Sequence, residues 1–175
     1  LERALGHEAF YRIAVDPEGV VRGIHPLVRV RSRLFGDYLV SMPFLSYGGP
    51  LGSPGARRLL GEDAAALARE LGVDLLEIRS RNPMPGGLRT SQRKLTVLKE
   101  LPASEEELWE RGIKAKVRSQ VRRPMKEGME ARFGPDEIGP FYRVFSRTMR
   151  DLGTPVLPRA FFQEVARRLG DQAVF

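Results

Sequence analysis

Over the first fifty residues, hydrophobic and polar positions alternate in the way that half-buried β-strands require. The alternation is clearest in Glu8–Val15, and the DPEG sequence at Asp16–Gly19 then predicts a turn. Two further strands are predicted over Val20–Val30 and Tyr38–Leu45, with a turn near Phe35–Asp37 between them. Because the connections are short, we expect the three strands to form an antiparallel meander.

After the meander, the hydrophobic spacing changes to that of a helix. A loop rich in glycine and proline, Ser46–Gly55, leads to a helix predicted over Asp63–Leu71 and ended by Gly72. The apolar run Val73–Ile78 predicts a strand buried on both faces. A strand, a helix and a strand in this order predict a right-handed crossover between parallel strands. The first hundred residues are therefore predicted to have an α/β (α+β) fold, with a mixed sheet and one crossover helix.

The rest of the chain is predicted to be mainly helical. Ser104 and Glu107 form a capping box, and the helix that it begins carries an apolar stripe at four-residue spacing. The residues of this stripe, which we expect to be buried, are Trp109, Ile113, Val117 and Val121. Two more helices, with wide phenylalanine-rich faces, are predicted over 140–152 and 159–169, each ended by a glycine.

Charge is the property in which this composition departs most from that of an average soluble protein. The 175 residues carry a formal net charge of +7, which favours an anionic partner such as phosphate, nucleic acid or a membrane surface. The absence of cysteine excludes disulfides, thiolate metal sites and a cysteine nucleophile. No apolar run approaches the roughly 20 residues of a membrane-spanning helix. Since the sequence begins at Leu1 and ends with DQAVF, we expect a piece of a longer protein.

The positive charge is concentrated between positions 111 and 126, where seven basic residues occur without an acidic one. Four of them recur at every fourth position and would form one exposed row beside the apolar stripe. This basic row consists of Lys114, Arg118, Arg122 and Lys126. Pro124 predicts that the helix ends or kinks near Arg123. Because arginine and lysine bind phosphate, the row predicts a phosphate-binding surface, with a solvated basic face as the alternative.

The loop YGGPLG is a second candidate for phosphate binding. It follows a predicted strand and precedes a predicted helix, where free backbone N–H groups can receive an anion. Tyr47, Gly48 and Gly49 are the candidate residues, since two glycines would let a ligand approach the backbone closely. The Lys-Ser/Thr ending of a nucleotide-hydrolysing phosphate loop is missing. A plain connection that needs two glycines is the alternative.

Other kinds of site have little support in the sequence. His7 and His25 are the only histidines, and we interpret both as structural. No spacing of ligands suggests a metal site, and no pair of carboxylates suggests acid–base catalysis. We do not expect DNA as a partner, because neither a helix-turn-helix pattern nor aromatic residues interleaved with the basic ones occur.

Four segments together resemble the FemAB-related proteins, in particular the branch associated with the PEP-CTERM/exosortase system of bacterial cell-envelope biogenesis. They are FGDYLVSMPFLSYGGPLG, VDLLEIRS, LWERGIKAKVRSQVRRPMKEG and TMRDLGTPVLPRAFF. In that family a basic helix of the form R-x-x-x-R-R-A-x-K-x-G leads into a second domain. Its pattern is matched here by Arg118, Arg122, Arg123, Lys126 and Gly128, with Pro124 in place of the usual alanine.

The resemblance implies a pair of GNAT-like domains, the fold of acetyltransferases. Residues 1–101 would form most of the first domain, with an N-terminal part missing. Residues 102–175 would form the linking basic helix and the helical start of a truncated second domain. The basic row, with Arg123, would then face the cleft between the domains and receive phosphate.

The resemblance also implies an aminoacyl or acyl transferase that forms an amide bond on a bacterial cell-envelope precursor, either of the peptidoglycan type or linked to exopolysaccharide. Aminoacyl-tRNA or acyl-CoA would be the co-substrate, without a tightly bound cofactor, and a nucleotide-sugar or lipid-linked precursor the anionic acceptor. The protein would work in the cytoplasm or at the inner face of the membrane. An acyl-CoA-dependent GNAT N-acyltransferase and a non-enzymatic nucleic-acid-binding module are the alternatives. No catalytic residue is assigned, because no dedicated base is evident.

Overall fold

The chain divides into two units, Leu1–Thr96 and Val97–Phe175. The computed structural model describes residues 2–84, 87–91 and 95–175. Every strand assigned within these ranges lies in the first unit, whereas the second unit is built from helices and turns. The coarse prediction of a mixed sheet followed by a helical region is therefore confirmed.

The first unit begins with a short helix, α1 (Glu2–Leu5), and contains one sheet. The strands are β1 (Glu8–Val15), β2 (Val21–Ser32), β3 (Gly36–Val40), β4 (Leu51–Gly52) and β5 (Leu75–Glu77). Their order in the sheet is β1-β2-β3-β5, and the short β4 pairs with β2 at Gly23 and Ile24. The first three form the antiparallel meander that the sequence predicts, and β5 runs parallel to β3 after the crossover helix α2 (Pro54–Glu70).

One face of the sheet packs against α2 and forms the core of the first unit. Leu27 of β2 and Leu39 of β3 are fully buried against the small face of α2, where Ala64, Leu67 and Ala68 lie. His25 is buried on the same side of β2, with its Nδ1 3.3 Å from the carbonyl oxygen of Leu60. Alanines on α2 let the helix approach the sheet closely, which excludes water from both leucines.

Three predicted boundaries in this unit are wrong. The crossover helix begins at Pro54 rather than Asp63, because the side chain of Ser53 accepts a hydrogen bond from the N–H of Ala56 and proline suits the first helical turn. Strand β3 ends at Val40, five residues early. Strand β5 is shorter than predicted and is not buried on both faces, since Leu75 is 51% exposed. The predicted end of the helix before Gly72 is confirmed.

The second unit begins with the predicted capping box, in which the Ser104 hydroxyl accepts a hydrogen bond from the N–H of Glu107. Its helices are α3 (Glu105–Glu107), α4 (Ala115–Lys126), α5 (Ile138–Asp151) and α6 (Arg159–Leu169). The last two agree with prediction and pack through an aromatic cluster of Phe141, Phe145 and Phe162, with ring centroids 5.1–5.4 Å apart. Of the hydrophobic residues described in this unit, Ile138 alone is buried.

The predicted break NPMPGG (82–87) and the stretch 93–101 that follows it lie partly outside the described residues. Where the structure describes the chain, no helix has the length and apolar character to cross a membrane.

Candidate functional site

The sequence predicts one continuous helix from Ser104 through the basic segment, and this prediction is wrong. After α3 the chain forms a π-helical turn over Leu108–Gly112, and Ile113 then takes an extended conformation with φ −118° and ψ 130°. A new helix, α4, begins after Lys114. Its cations therefore belong to a separate short helix, divided from the preceding turn by the extended residues Ile113 and Lys114.

Pro124 does not end α4 near Arg123, because the helix continues to Lys126. Proline removes a single N–H donor, and near the end of a helix that loss affects one bond while the last turn closes around it. Here the N–H groups of Glu127 and Met129 both donate to the carbonyl of Pro124, and Gly128 follows with φ +75°. The proline is thus part of the helix end, and the cation at 126 stays on the helix.

Arg118 holds α4 against the turn before it. Its Nη1 lies 3.0 Å from the carbonyl oxygens of Trp109 and Glu110 and 2.6 Å from that of Ile113. Trp109 and Glu110 belong to the π-helical turn, whose last carbonyls have no partner within it, and Ile113 directly follows that turn. Arg118 is half-buried, so it does not stand on an open face with the other members of the basic row. It acts as a cap for the preceding turn.

Arg122, one turn further along α4, lies over the ring of Trp109. The guanidinium carbon is 5.1 Å from the indole centroid, the distance of a cation–π contact. The indole therefore restrains the Arg122 side chain. The guanidinium N–H groups lie in the guanidinium plane and can still donate to an anion while the flat face contacts the indole. Restraint of this kind lowers the entropy that binding would cost.

The remaining candidate cations are exposed. Arg123 is 84% exposed and lies 3.5 Å from Glu127, which is too long and too solvated a pair to hold it firmly. Lys114 and Lys126 are exposed, and among the described residues no carboxylate comes within 4.0 Å of either. Lys114, Arg122, Arg123 and Lys126 consequently give α4 an open positive surface.

The apolar stripe predicted to bury α4 does not do so. Val117 is 43% exposed and Val121 is 42% exposed, whereas Trp109 and Ile113, which precede the helix, are half-buried. The break at Ile113 explains the difference, because it separates the two pairs onto different segments of chain. The contacts of Arg118 and Arg122 with the preceding turn, rather than valine packing, hold α4 to that turn.

In the loop YGGPLG, the two glycine N–H groups are already hydrogen-bonded. Gly48 and Gly49 both donate to the carbonyl oxygen of Arg79, at 2.9 and 3.0 Å. A Cβ at Gly48 would lie 2.4 Å from the Cβ of Met42, and one at Gly49 would lie 3.1 Å from that of Ser80. Close packing within the protein therefore accounts for both glycines, and their N–H groups do not point freely at a ligand.

Arg79 organises this loop, and the sequence prediction missed it. Its N–H donates to the Ser41 hydroxyl at 2.7 Å, its Nη1 donates to the Leu45 carbonyl at 3.0 Å, and its Nε donates to the Glu77 carboxylate at 2.8 Å. The only sequence signal is an arginine that follows a predicted buried strand by one residue. Such a position faces the loop at the strand end, where functional side chains commonly lie.

The segment directly before this loop holds two strained residues. Met42 and Phe44 have φ of +47° and +72°, in a backbone region that residues other than glycine rarely adopt. Tyr47, the third candidate residue here, is exposed and carries the Arg81 guanidinium carbon 5.6 Å from its ring centroid. Strain of this kind occurs often at functional sites. The backbone donors expected for phosphate, the N–H groups of Gly48 and Gly49, are however already bonded to the Arg79 carbonyl.

Comparison with known proteins leaves this geometry without a family assignment. No protein-family model matches the chain, and no curated protein matches it. Among the side chains that the structure describes, no group of three histidine, aspartate or glutamate residues could hold a metal ion. The open cations of α4 are therefore the candidate functional site.

Proposed function

We propose that this protein is a FemAB-like transferase that forms an amide bond on an anionic precursor of the bacterial cell envelope, with α4 as the phosphate-binding element. The observation that carries the proposal is the guanidinium of Arg122 restrained over Trp109, with Lys126 one turn further along without a described carboxylate partner. A planar donor and a point charge on one helix suit the two phosphates of a nucleotide-linked or lipid-linked precursor.

The fold supports the proposal in a coarse way. An antiparallel meander that leads through a crossover helix into a strand parallel to β3 is compatible with the sheet of a GNAT-like domain. The assignment of two GNAT-like domains, at 1–101 and 102–175, remains part of the proposal.

The chemistry asks little of individual side chains beyond positioning. Amide formation requires a neutral amine to attack an activated carbonyl and a donor to stabilise the oxyanion. Holding two substrates in a reactive geometry can supply much of the rate. We assign to Lys114, Arg122, Arg123 and Lys126 the role of holding the anionic substrate, and to Arg118 that of positioning α4. Aminoacyl-tRNA is the donor we favour, with acyl-CoA as the other donor class.

Binding of a UDP-linked muropeptide to single variants tests the proposal. Arg122→Ala and Lys126→Ala should each raise the dissociation constant by roughly tenfold or more, since a hydrogen bond to a charged group contributes about 1.5–3 kcal/mol. Arg122→Lys keeps the charge but loses the planar contact, so its dissociation constant should lie between that of the parent chain and that of Arg122→Ala. Arg58→Ala is the control, because it removes one exposed arginine from α2, where its partner is Glu62.

Equal losses in Arg58→Ala and Arg122→Ala would mean that net charge rather than α4 determines binding, and would overturn the assignment. Parallel titrations with acetyl-CoA and with RNA extend the test. Tight binding of RNA that depends on Arg122, together with no binding of the muropeptide, would favour a nucleic-acid-binding module instead.

A further inference from the structure

The tip of the hairpin between β2 and β3 exposes two large apolar side chains side by side. Leu34 is 87% exposed and Phe35 is 71% exposed. Exposures this high mean that both side chains stand clear of the protein surface rather than lining a groove. Single exposed hydrophobic residues are common, but two adjacent ones at a hairpin tip form a small apolar wedge.

The tip is held in this conformation by hydrogen bonds within the turn. The Ser32 hydroxyl accepts from the N–H groups of Leu34 and Phe35, at 3.3 and 3.2 Å. The Tyr38 hydroxyl donates to the carbonyl of Phe35. Because the backbone on both sides of the wedge is bonded, the apolar side chains cannot easily fold back onto the sheet.

The base of the hairpin is equally restrained. The N–H of Asp37 donates to the Asp74 carboxylate at 2.9 Å, and the N–H of Asp74 donates to the Asp37 carbonyl at 2.8 Å. Arg29 grips the Asp37 carboxylate from the other side at 2.6 Å, and its hydrogen bonds lower the pKa of Asp37. Gly36, with φ +102°, lets the chain pass Asp74 without a clash. The contacts of Asp37 with Asp74 and Arg29 thus restrain the strand that follows the wedge.

Two arginines flank the wedge. Arg33 is exposed, and within the described ranges it has no carboxylate within 4.0 Å. Arg31 is 70% exposed, although its Nε lies 3.3 Å from the Asp37 carboxylate, which partly offsets its charge. An apolar wedge with cations beside it is complementary to a surface whose outer layer is anionic and whose interior is apolar.

We propose that this hairpin tip contacts an anionic lipid bilayer, with Leu34 and Phe35 entering the boundary between headgroups and acyl chains and with Arg31 and Arg33 close to lipid phosphates. A bilayer accepts protruding apolar side chains without a preformed pocket, whereas a protein partner would need a groove shaped to receive them. The arginines add attraction for anionic lipid, worth about fivefold in binding for each cation near the surface.

Vesicle sedimentation tests the contact. The chain should bind vesicles of phosphatidylcholine with about one third phosphatidylglycerol, and bind pure phosphatidylcholine more weakly. The double variant Leu34→Ser with Phe35→Ser should bind the anionic vesicles at least tenfold less, a change of about 1.4 kcal/mol. The matched control is Phe133→Ser with Leu152→Ser, which removes the same residue types at 73% and 68% exposure. Failure of the parent chain to bind, or equal losses in both double variants, would overturn the proposal.

Charge variants separate the two contributions. Arg33→Gln should weaken binding by about fivefold at low salt. Its effect should shrink as salt screens the bilayer charge. Arg31→Gln should have a smaller effect, because Asp37 already partners that arginine. If only the arginine variants lose binding while the apolar double variant binds normally, insertion of the wedge is refuted.

A dye at the tip gives a readout that does not depend on overall affinity. Since the chain has no cysteine, Leu34→Cys can carry a single environment-sensitive nitrobenzoxadiazole dye, with Leu152→Cys as the labelled control. Anionic vesicles should shift the emission of the tip dye to shorter wavelength and leave the control unchanged. An unchanged emission wavelength of the tip dye on addition of vesicles would overturn the proposal. A shift to shorter wavelength on addition of the unlabelled chain without lipid would also overturn it, because it would indicate that the tip contacts protein.

Discussion

Arg118→Ala should lower the free energy of unfolding of the second unit, although arginines on a basic helix usually contribute little to stability. The two hydrogens of its Nη1 are shared among three carbonyl oxygens at 2.6–3.0 Å. Hydrogen bonds from a charged donor contribute about 1.5–3 kcal/mol each. Because Arg118 is only half-buried and the freed carbonyls can recover water, we expect a total loss of about 1.5–3 kcal/mol.

Trp109 provides the assay, because it is the only tryptophan in the chain and one of the three carbonyls is its own. Its fluorescence can follow urea unfolding, in which a stability loss with an unchanged slope moves the midpoint to lower denaturant. Arg118→Lys should recover part of the loss, since an ammonium group keeps the charge but not the planar donor geometry.

The matched control is Arg123→Ala on the same helix. Arg123 is 84% exposed and has a single 3.5 Å contact with Glu127, so its removal should change stability by less than about 0.5 kcal/mol. If the two alanine variants unfold at the same denaturant concentration, the role of Arg118 as a cap is wrong. A loss of muropeptide binding without a loss of stability in Arg118→Ala would instead return it to the group of substrate-binding residues.

Two predictions concern the first unit. Burial lowers the pKa of His25, so below about pH 6.5 the unfolded chain takes up a proton that the folded chain does not, and stability falls by up to about 1.4 kcal/mol per pH unit. His25→Leu should reduce this loss of stability between pH 7.5 and 5. The part due to His7 should remain, because burial lowers its pKa too. Parallel plots of stability against pH for the variant and the parent chain would contradict the prediction. Gly52→Ala should cost at least about 3 kcal/mol in chemical unfolding, because φ is +130° and the new Cβ would lie 2.2 Å from the Arg22 carbonyl oxygen. Gly55→Ala, in the first turn of α2 with nothing within 4 Å of the new Cβ, should not destabilise the protein and can stabilise it by up to about 1 kcal/mol. Equal losses in the two variants would refute the steric argument.

Local sequence signals determined much of the secondary structure. Strand β1 begins and ends where the alternation predicts, and the Asp16–Gly19 turn closes with a 2.9 Å hydrogen bond from the N–H of Gly19 to the Asp16 carbonyl. The Ser104 cap and the helix end before Gly170 are also as predicted. Each of these features depends on residues within a few positions of one another, so the physical interaction is visible in the sequence itself.

The candidate site was decided by contacts between residues that the pattern does not relate. Arg118 reaches back nine residues to the carbonyl of Trp109, and that bond becomes possible only because the helical conformation is interrupted at Ile113. The N–H groups of Gly48 and Gly49 are occupied by Arg79, some thirty residues away, after the crossover brings β5 beside β3. The sequence by itself determined how many cations the basic segment carries and how they are spaced. Only the tertiary structure decided which of them are used to hold the fold and which are left open, because hydrogen-bond partners distant in sequence are chosen by packing.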